Sequence, residues 1–163
     1  MPNKLNIKRN SISAGLLLFR KTTGKLEVLL AHPGGPMWEK RDESAWTIPK
    51  GLVNPEEDLL AAACREFKEE TGVEPRGPFL PLGFIKQKAG KIVHAWAWED
   101  SADASHMKSN WMKMEWPYKS GHWIQFPEVD RCEWFGSEEG KKKINPAQAT
   151  FIITLETWWK EHI

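Results

Sequence analysis

One helix with carboxylates on its packing side constrains what this chain of 163 residues can form. Residues 51–73 read GLVNPEEDLLAAACREFKEETGV. Pro55 suits the first position of a helix, Asn54 before it can accept free helix amides as N-cap, and Gly72 supplies the left-handed residue that commonly ends a helix. Together these signals predict a helix over residues 55–71.

Three glutamates of this helix lie where a solvated helix would not place them. At about 100° per residue, Glu70 falls inside the apolar sector that packs on the domain, and Glu66 lies at the edge of that sector. Glu69 flanks them, three residues after Glu66. The alternative, a charged stripe facing solvent, explains Asp58 and Lys68 but not a carboxylate on the packing side. Carboxylates crowded on adjacent turns repel one another unless a cation lies among them.

The cation that this acidic cluster favours is Mg²⁺, with Mn²⁺ as the alternative. Mg²⁺ prefers oxygen ligands and is usually shared between a few carboxylates and substrate phosphates. A zinc site is not expected, because no set of His or Cys ligands accompanies the glutamates. Two other residues have supporting roles: Glu57 can bond back to the amide at the start of the helix, and Arg65 is placed to orient Glu69.

The segment fits the Nudix box at every fixed position. That box is written Gly, any five residues, Glu, any seven, Arg-Glu, a bulky apolar residue, any residue, Glu-Glu, any residue, Gly and a bulky apolar residue. The chain therefore resembles the Nudix hydrolases, which implies a Nudix α/β/α sandwich with a mixed sheet. The metal ligands that the resemblance implies are the Gly51 carbonyl, Glu66, Glu69 and Glu70. The catalytic residues that it implies are Glu66, Glu69 and Arg65, and the structural positions of the box are Glu57 and Gly72.

Segments outside the box indicate the substrate class. Residues 13–20, 46–51 and 128–135 resemble bacterial members that are predicted nucleotide pyrophosphohydrolases and, more faintly, diadenosine tetraphosphate hydrolases. The implied reaction is hydrolysis of a diphosphate linkage in a nucleoside diphosphate derivative, with dinucleoside polyphosphates among the candidates. A metal centre would neutralise phosphate charge and supply a deprotonated water as nucleophile.

Two residues outside the box are assigned to the reaction itself. Lys50 is placed to meet a phosphate oxygen, and the alternative is an exposed lysine at a strand end. The general base is either a box glutamate or a carboxylate on a later loop, and the resemblance to the diadenosine group favours Glu128. The rival carboxylates are Glu99, Glu115 and Glu133.

Loops are expected to determine specificity. Residues 32–43 combine turn residues with Trp38 and Arg41, which we predict to bind the base and phosphates of a nucleotide; the alternative is a plain surface loop. Residues 100–121 are long for a connection in a compact domain, and such loops are often lids or binding segments. Their aromatic side chains are candidates for stacking on a nucleobase.

Three alternatives to this function remain open. The first is an enzyme that removes damaged or excess nucleoside triphosphates, and the second is hydrolysis of capped RNA 5′ ends. The third is a non-catalytic nucleotide-binding Nudix domain, which would predict a damaged box, whereas every fixed position here is intact. A general RNA-binding module is disfavoured because the net charge is only +1.

Composition and patterning complete the prediction. The 40% of apolar residues suffice for the core of one domain over residues 1–163. We expect no leader and no membrane span, reduced Cys64 and Cys132, and a cytoplasmic location, with a homodimer as one option. Strands are predicted at residues 13–20, 26–31, 45–48, 79–86, 91–99 and 131–135. Further helices are predicted after Ser137 and from residue 146 to about 159, which gives an α/β fold.

Overall fold

The computed structural model describes residues 12–162 of the protein. Its strands are β1 (Ile12–Thr22), β2 (Lys25–Pro33), β3 (Lys50–Leu52), β4 (Phe79–Lys86), β5 (Ile92–Glu99), β6 (Trp111–Glu115), β7 (Trp123–Pro127) and β8 (Val129–Gly136). Its α-helices are α1 (Leu59–Thr71), α2 (Ser137–Lys143) and α3 (Ala149–Glu161). Single 3₁₀ turns lie at Ala104–His106 and Pro146–Gln148.

The main sheet is mixed and is built around β1. β1 pairs parallel with β5 and antiparallel with β2 and β3. The outer pairs, β4 with β5 and β2 with β8, are antiparallel. The strand order is therefore β4–β5–β1–β2–β8, with the short β3 also bonded to β1. This arrangement places the start of the box, which lies in β3, directly beside the central strand.

Both faces of the sheet are buried, because successive side chains of β1 point to opposite sides. Leu17 and Phe19 join a core formed with α3, whose buried residues are Phe151, Ile152 and Leu155. Leu16 and Leu18 join a second core formed with α1, whose buried apolar residues are Ala62, Ala63 and Phe67. The helices thus cover the sheet on both sides, and the predicted α/β/α sandwich with a mixed sheet is confirmed.

The box helix begins later than predicted. α1 starts at Leu59, and its N-cap is Asp58 rather than Asn54, because the Asp58 carboxylate accepts a hydrogen bond from the Ala61 amide at 3.0 Å. Glu56 has a φ of 63°, which no helical residue adopts. The four residues before the cap therefore form a turn instead of a first helical turn.

Two other predictions about this helix are confirmed. Gly72 has a φ of 80° and donates its amide hydrogen to the Lys68 carbonyl oxygen, so α1 ends at a left-handed glycine. The Asn54 amide donates to Glu57 Oε1 at 3.0 Å, which is the predicted bond back from Glu57. It closes the turn that precedes the helix.

The prediction of a strand at residues 45–48 is wrong. Thr47 bridges to Ala31 in β2, whereas Trp46 bridges to Ile144, which directly follows α2. Neighbouring residues pair with different partners, so no continuous ladder forms. The other five predicted strands match β1, β2, β4, β5 and β8 to within two residues, whereas β3, β6 and β7 are not predicted. The last two helices lie within a few residues of their predicted positions.

The segment predicted as a long loop over residues 100–121 instead contains β6, which pairs with β7 in a separate two-stranded hairpin. Because strand side chains alternate, one face of this hairpin carries an apolar set. Its members are Met112, Met114, Ile124 and Phe126. The opposite face carries Trp111 and Trp123, which are 67% and 63% exposed.

Cys64 and Cys132 are free thiols, as predicted. Burial raises the pKa of the Cys132 thiol to about 12, so it packs as a neutral core side chain. Between residues 12 and 162, no helix combines the length and apolar character needed to cross a membrane.

Candidate active site

Arg65 organises the carboxylates of the box. Its Nε and Nη2 donate to the two oxygens of Glu57 at 2.8 and 2.9 Å. Its Nη1 donates to Glu66 at 2.7 Å and to Glu69 at 3.2 Å. Nη2 also donates to the Leu52 carbonyl oxygen at 3.0 Å. Arg65 therefore contacts Glu69, which it is predicted to orient, and it bonds Glu57 and Glu66 as well.

The pair between Arg65 and Glu57 is the strongest of these contacts. The guanidinium hydrogen bonds hold the pKa of Glu57 down to about 2. The same bonds raise the pKa of Arg65. Both groups are therefore charged at neutral pH, and a two-pronged pair of this kind fixes the guanidinium plane as well as its position. Glu57 acts on the site by holding Arg65, which agrees with its predicted structural place in the box.

Glu66 lies directly against the backbone of Gly51. The Glu66 residue is only 7% exposed, and a Cβ atom built on Gly51 would overlap its carboxylate. Burial raises the pKa of Glu66; Arg65 opposes this shift, and the charge of Glu69 adds to it. The absence of a side chain at position 51 is thus what lets β3 and α1 bring a main-chain segment and a carboxylate together.

Gly51→Ala is expected to lower kcat/KM about 100-fold, because misplacing a site group by roughly 1 Å costs about that factor. The new methyl group would displace the Glu66 carboxylate, which is the flexible end of its side chain, so the fold should survive. The matched control is Gly136→Ala, since a Cβ atom there meets nothing within 4 Å. Steady-state kinetics and thermal unfolding of both variants check this expectation. Full activity in Gly51→Ala would contradict it.

Glu70 points to the same region from the next turn of α1. It is 5% exposed, and its Oε2 accepts a hydrogen bond from the Lys50 amide at 2.8 Å. Burial raises the pKa of Glu70, and the negative charge of Glu128 raises it further. The Lys50 ammonium acts in the opposite direction on Glu70, and burial lowers the pKa of Lys50 itself. Lys50 is therefore a half-buried site residue rather than an exposed lysine at a strand end.

A cleft of about 140 Å³ joins these groups to the predicted general base. Its polar lining includes Lys50, Glu70 and Glu128, which come from β3, α1 and the junction between β7 and β8. The rival carboxylates Glu99, Glu115 and Glu133 are absent from the residues that line it. The structure thus brings together residues that are up to 78 positions apart in sequence, counting from Lys50 to Glu128.

Main-chain hydrogen bonds fix Glu128 opposite the box helix. The Glu128 amide donates to the Asn110 carbonyl oxygen, and the Asn110 amide donates to the Glu69 carbonyl oxygen, each at 2.9 Å. On its other side, the Glu128 carbonyl oxygen accepts from the Gly34 amide at 2.9 Å. Residue 110 therefore links the end of α1 to Glu128, and Glu128 in turn holds the loop that follows β2.

The donor set of the box fits a hard divalent cation. Glu66, Glu69 and Glu70 supply carboxylate oxygens from consecutive turns of α1, and burial with the charge of neighbouring carboxylates raises the pKa of Glu66 and of Glu70. In the part of the chain that the structure describes, no three His, Cys, Asp or Glu side chains already converge as a metal-holding group. The Glu66 and Glu69 oxygens bond Arg65 instead, so a cation would compete with this guanidinium for them.

Trp38 lines a second, apolar pocket of about 220 Å³ that adjoins the cleft. The two cavities share Pro33 and Glu128 in their linings. Arg41 is not part of either lining; its guanidinium lies 5.3 Å from the centre of the Trp38 ring, a cation–π distance. Trp38 therefore lines the site itself, whereas Arg41 lies outside both linings and contacts the Trp38 ring. The binding of substrate by either residue stays a prediction.

Among the residues that line this pocket, Met112 and Met114 lie in the lid or binding segment predicted over residues 100–121, whereas Phe126 lies in no segment predicted to bind substrate. The available signal was the alternation of polar and apolar residues over β6 and β7, which is typical of strands. Close packing of the hairpin on the loop after β2 requires glycine there. A Cβ atom on Gly34 would overlap the Pro127 carbonyl oxygen, and one on Gly35 would overlap the Phe126 ring.

The sequence of this chain matches known families over most of its length. The NUDIX domain matches residues 9–155. The chain is 44% identical over 109 residues to the bis(5′-nucleosyl)-tetraphosphatase [asymmetrical] of Caenorhabditis elegans, covering 61% of this chain and 75% of that protein. It is 47% identical over 51 residues to the RNA pyrophosphohydrolase of Caulobacter vibrioides, covering 28% of this chain and 30% of that protein.

Solved structures show the same fold. A C. elegans Ap4A hydrolase binary complex superposes with a TM-score of 0.64 at 23% identity, covering 91% of this chain and 98% of that chain. The NUDIX domain of Shewanella oneidensis NrtR, complexed with ADP ribose, gives a TM-score of 0.64 at 15% identity, covering 96% and 93%. With an intact box, the fold and the matched domain, this chain belongs to the NUDIX family and is a Nudix hydrolase.

Proposed function

We propose that this Nudix hydrolase cleaves a phosphoanhydride bond in dinucleoside polyphosphates. The observation that carries the proposal is the shared cleft, in which Lys50, Glu70 and Glu128 adjoin an apolar pocket lined by Trp38. A dinucleoside polyphosphate matches both parts of this site, because its charged phosphate chain joins two nucleosides that carry planar bases. The similarity to the C. elegans bis(5′-nucleosyl)-tetraphosphatase supports the same substrate class.

Nudix hydrolases use divalent cations, and we propose Mg²⁺ here, with Mn²⁺ as a substitute. The residues that would hold it are the Gly51 carbonyl, Glu66, Glu69 and Glu70, with Arg65 keeping the carboxylates in place. When bound, the cation offsets phosphate charge and makes water a stronger nucleophile. The oxygen-only donor set and the burial of two of its carboxylates, Glu66 and Glu70, favour this assignment.

Lys50 and Glu128 have separate roles in the reaction. Lys50 lines the same cleft as Glu70 and Glu128, where its cation can bind a phosphate oxygen. Glu128 accepts a proton from the attacking water, whose oxygen forms a new bond to phosphorus. The anhydride P–O bond breaks, and the leaving nucleotide keeps the electron pair on its terminal phosphate oxygen. No covalent bond to the protein is needed.

A substrate panel tests this proposal: diadenosine tetraphosphate, nucleoside triphosphates, RNA with a 5′ triphosphate or cap, and nucleotide sugars. With Mg²⁺, we expect diadenosine tetraphosphate to be hydrolysed with the highest kcat/KM, and we expect EDTA to remove the activity. Ion-exchange chromatography identifies the products and therefore the cleaved bond. Faster turnover of another class in the panel would contradict the proposed substrate, and turnover in EDTA would contradict the proposed cofactor.

The second candidate is a triphosphate substrate, either a nucleoside triphosphate or the 5′ end of an RNA. The similarity to the Caulobacter RNA pyrophosphohydrolase supports this second candidate. That match spans 51 residues and covers 30% of the relative. Such a substrate would bind one base instead of two, so the same panel separates the two candidates.

We also propose a cytoplasmic location and a homodimer. The free thiols of Cys64 and Cys132 suit a reducing compartment. The outer face of the β6–β7 hairpin exposes Trp111 and Trp123, whose burial by a second copy would remove apolar surface from water.

A further inference from the structure

The pocket beside the catalytic cleft is built from two separate elements. The loop after β2 contributes Met37 and Trp38, and the inner face of the β6–β7 hairpin contributes Met112, Met114 and Phe126. Its volume of about 220 Å³ is below the roughly 300–1,000 Å³ of a site that encloses a whole drug-sized ligand. The pocket is therefore suited to one end of a substrate, and Glu128 marks the side on which it opens towards the phosphate site.

The lining offers flat, polarisable surface with few hydrogen-bonding groups. Among the lining residues, the polar side-chain groups are the Trp38 indole N–H and the Glu128 carboxylate, which faces the phosphate cleft. Pro33 and Pro36 have no amide hydrogen to donate. Two main-chain groups are already bonded, since the Gly34 amide donates to Glu128 and the Gly35 carbonyl accepts from the Trp38 amide at 3.2 Å.

We propose that this pocket seats one nucleobase of the substrate by contact with its ring faces and does not read the hydrogen-bonding edge of that base. The proposal rests on the proposed function, because the phosphate cleft of that function adjoins this pocket. Aromatic rings stack on every base, and methionine side chains adapt to different shapes. Sites that hydrogen-bond a substrate group reject analogues by factors of 10⁴ or more, whereas apolar pockets discriminate far less.

Kinetics with three dinucleoside tetraphosphates, carrying adenine, guanine or uracil at both ends, test the proposal. We expect the kcat/KM values of the two purine compounds to agree within about tenfold. Trp38→Ala and Met112→Ala should raise KM by about 5- to 100-fold for every base, with kcat nearly unchanged, because contact with a base is made equally in the ground and transition states. The control Lys113→Ala, on the opposite face of the same strand, should behave as wild type.

Two results would overturn the proposal. One is a difference between adenine and guanine of more than tenfold, which would require groups that read the base edge. The other is wild-type KM in both pocket variants when circular dichroism shows them folded. If no dinucleoside tetraphosphate is hydrolysed, the proposed function fails separately. The affinities of ADP and GDP, measured by calorimetry, then test whether the pocket binds a base without reading its edge. Equal affinities that fall in Trp38→Ala would support it, and unequal or unchanged affinities would refute it.

Discussion

Glu69→Gln is expected to lower kcat by at least about 1,000-fold, which corresponds to about 4 kcal/mol of transition-state stabilisation. The amide keeps the size of the side chain but removes the charge that a divalent cation needs. The fold should be unaffected. The Glu69 side chain is 41% exposed, and its single contact to Arg65 at 3.2 Å is an exposed pair of the kind that contributes about 0–1 kcal/mol.

Glu74→Gln is the matched control for this variant. Glu74 lies just beyond the same helix and forms an exposed ion pair with Lys68 at 2.7 Å, but it does not line the catalytic cleft. Thermal unfolding with and without Mg²⁺ supplies a readout that is independent of activity. Mg²⁺ should raise the unfolding temperature of wild type and Glu74→Gln more than that of Glu69→Gln. A Glu69→Gln enzyme with near wild-type kcat would remove Glu69 from the metal centre.

The sequence predicts the centre of the sheet well because β1 and β2 are largely buried on both faces. Such strands read as continuous apolar runs, and their pattern depends on few outside contacts. The prediction for residues 45–48 has the same apolar signal but fails, because Trp46 and Thr47 bond to two different neighbours. An apolar run shows that a segment is buried, whereas strand pairing depends on the elements beside it.

The two ends of the box helix also differ in how well the sequence predicts them. The end of α1 is predictable because Gly72 acts alone through its own backbone conformation. Its start is not, because Asn54 and Asp58 are both good N-caps and the choice depends on Glu57. That carboxylate bonds Arg65, which lies eight positions away and outside the helical spacings of three and four.

The position of the hairpin over the site is a long-range property of the fold. Sequence analysis identifies aromatic residues between positions 100 and 121 but does not pair them with β7. The pairing places apolar side chains over Trp38, and the Asn110 backbone links the hairpin to α1 through the Glu69 carbonyl oxygen. Local patterns do not contain these contacts, so the apolar pocket emerges only from the three-dimensional structure.

Glu128→Gln is expected to lower kcat by about 10²- to 10⁴-fold with little change in KM, which is the usual contribution of a general base. The amide cannot accept the proton of the attacking water, but it has the same shape and can still line the cleft. The position of residue 128 should not change, because its main chain is fixed by hydrogen bonds to Asn110 and Gly34 at 2.9 Å each.

The control for this variant is Glu133→Gln, since Glu133 lies on β8 a few residues later and its 50% exposed side chain contacts Arg131 instead of the cleft. Its kcat should equal that of wild type. Glu128→Asp, which keeps the carboxylate but shortens the side chain, should have a kcat between wild type and Glu128→Gln, because the base is present but farther from the water. If Glu128→Gln retains full kcat, Glu128 is not the general base and serves only to shape the cleft. The two Glu128 variants and the Glu133→Gln control together therefore decide whether Glu128 is the general base.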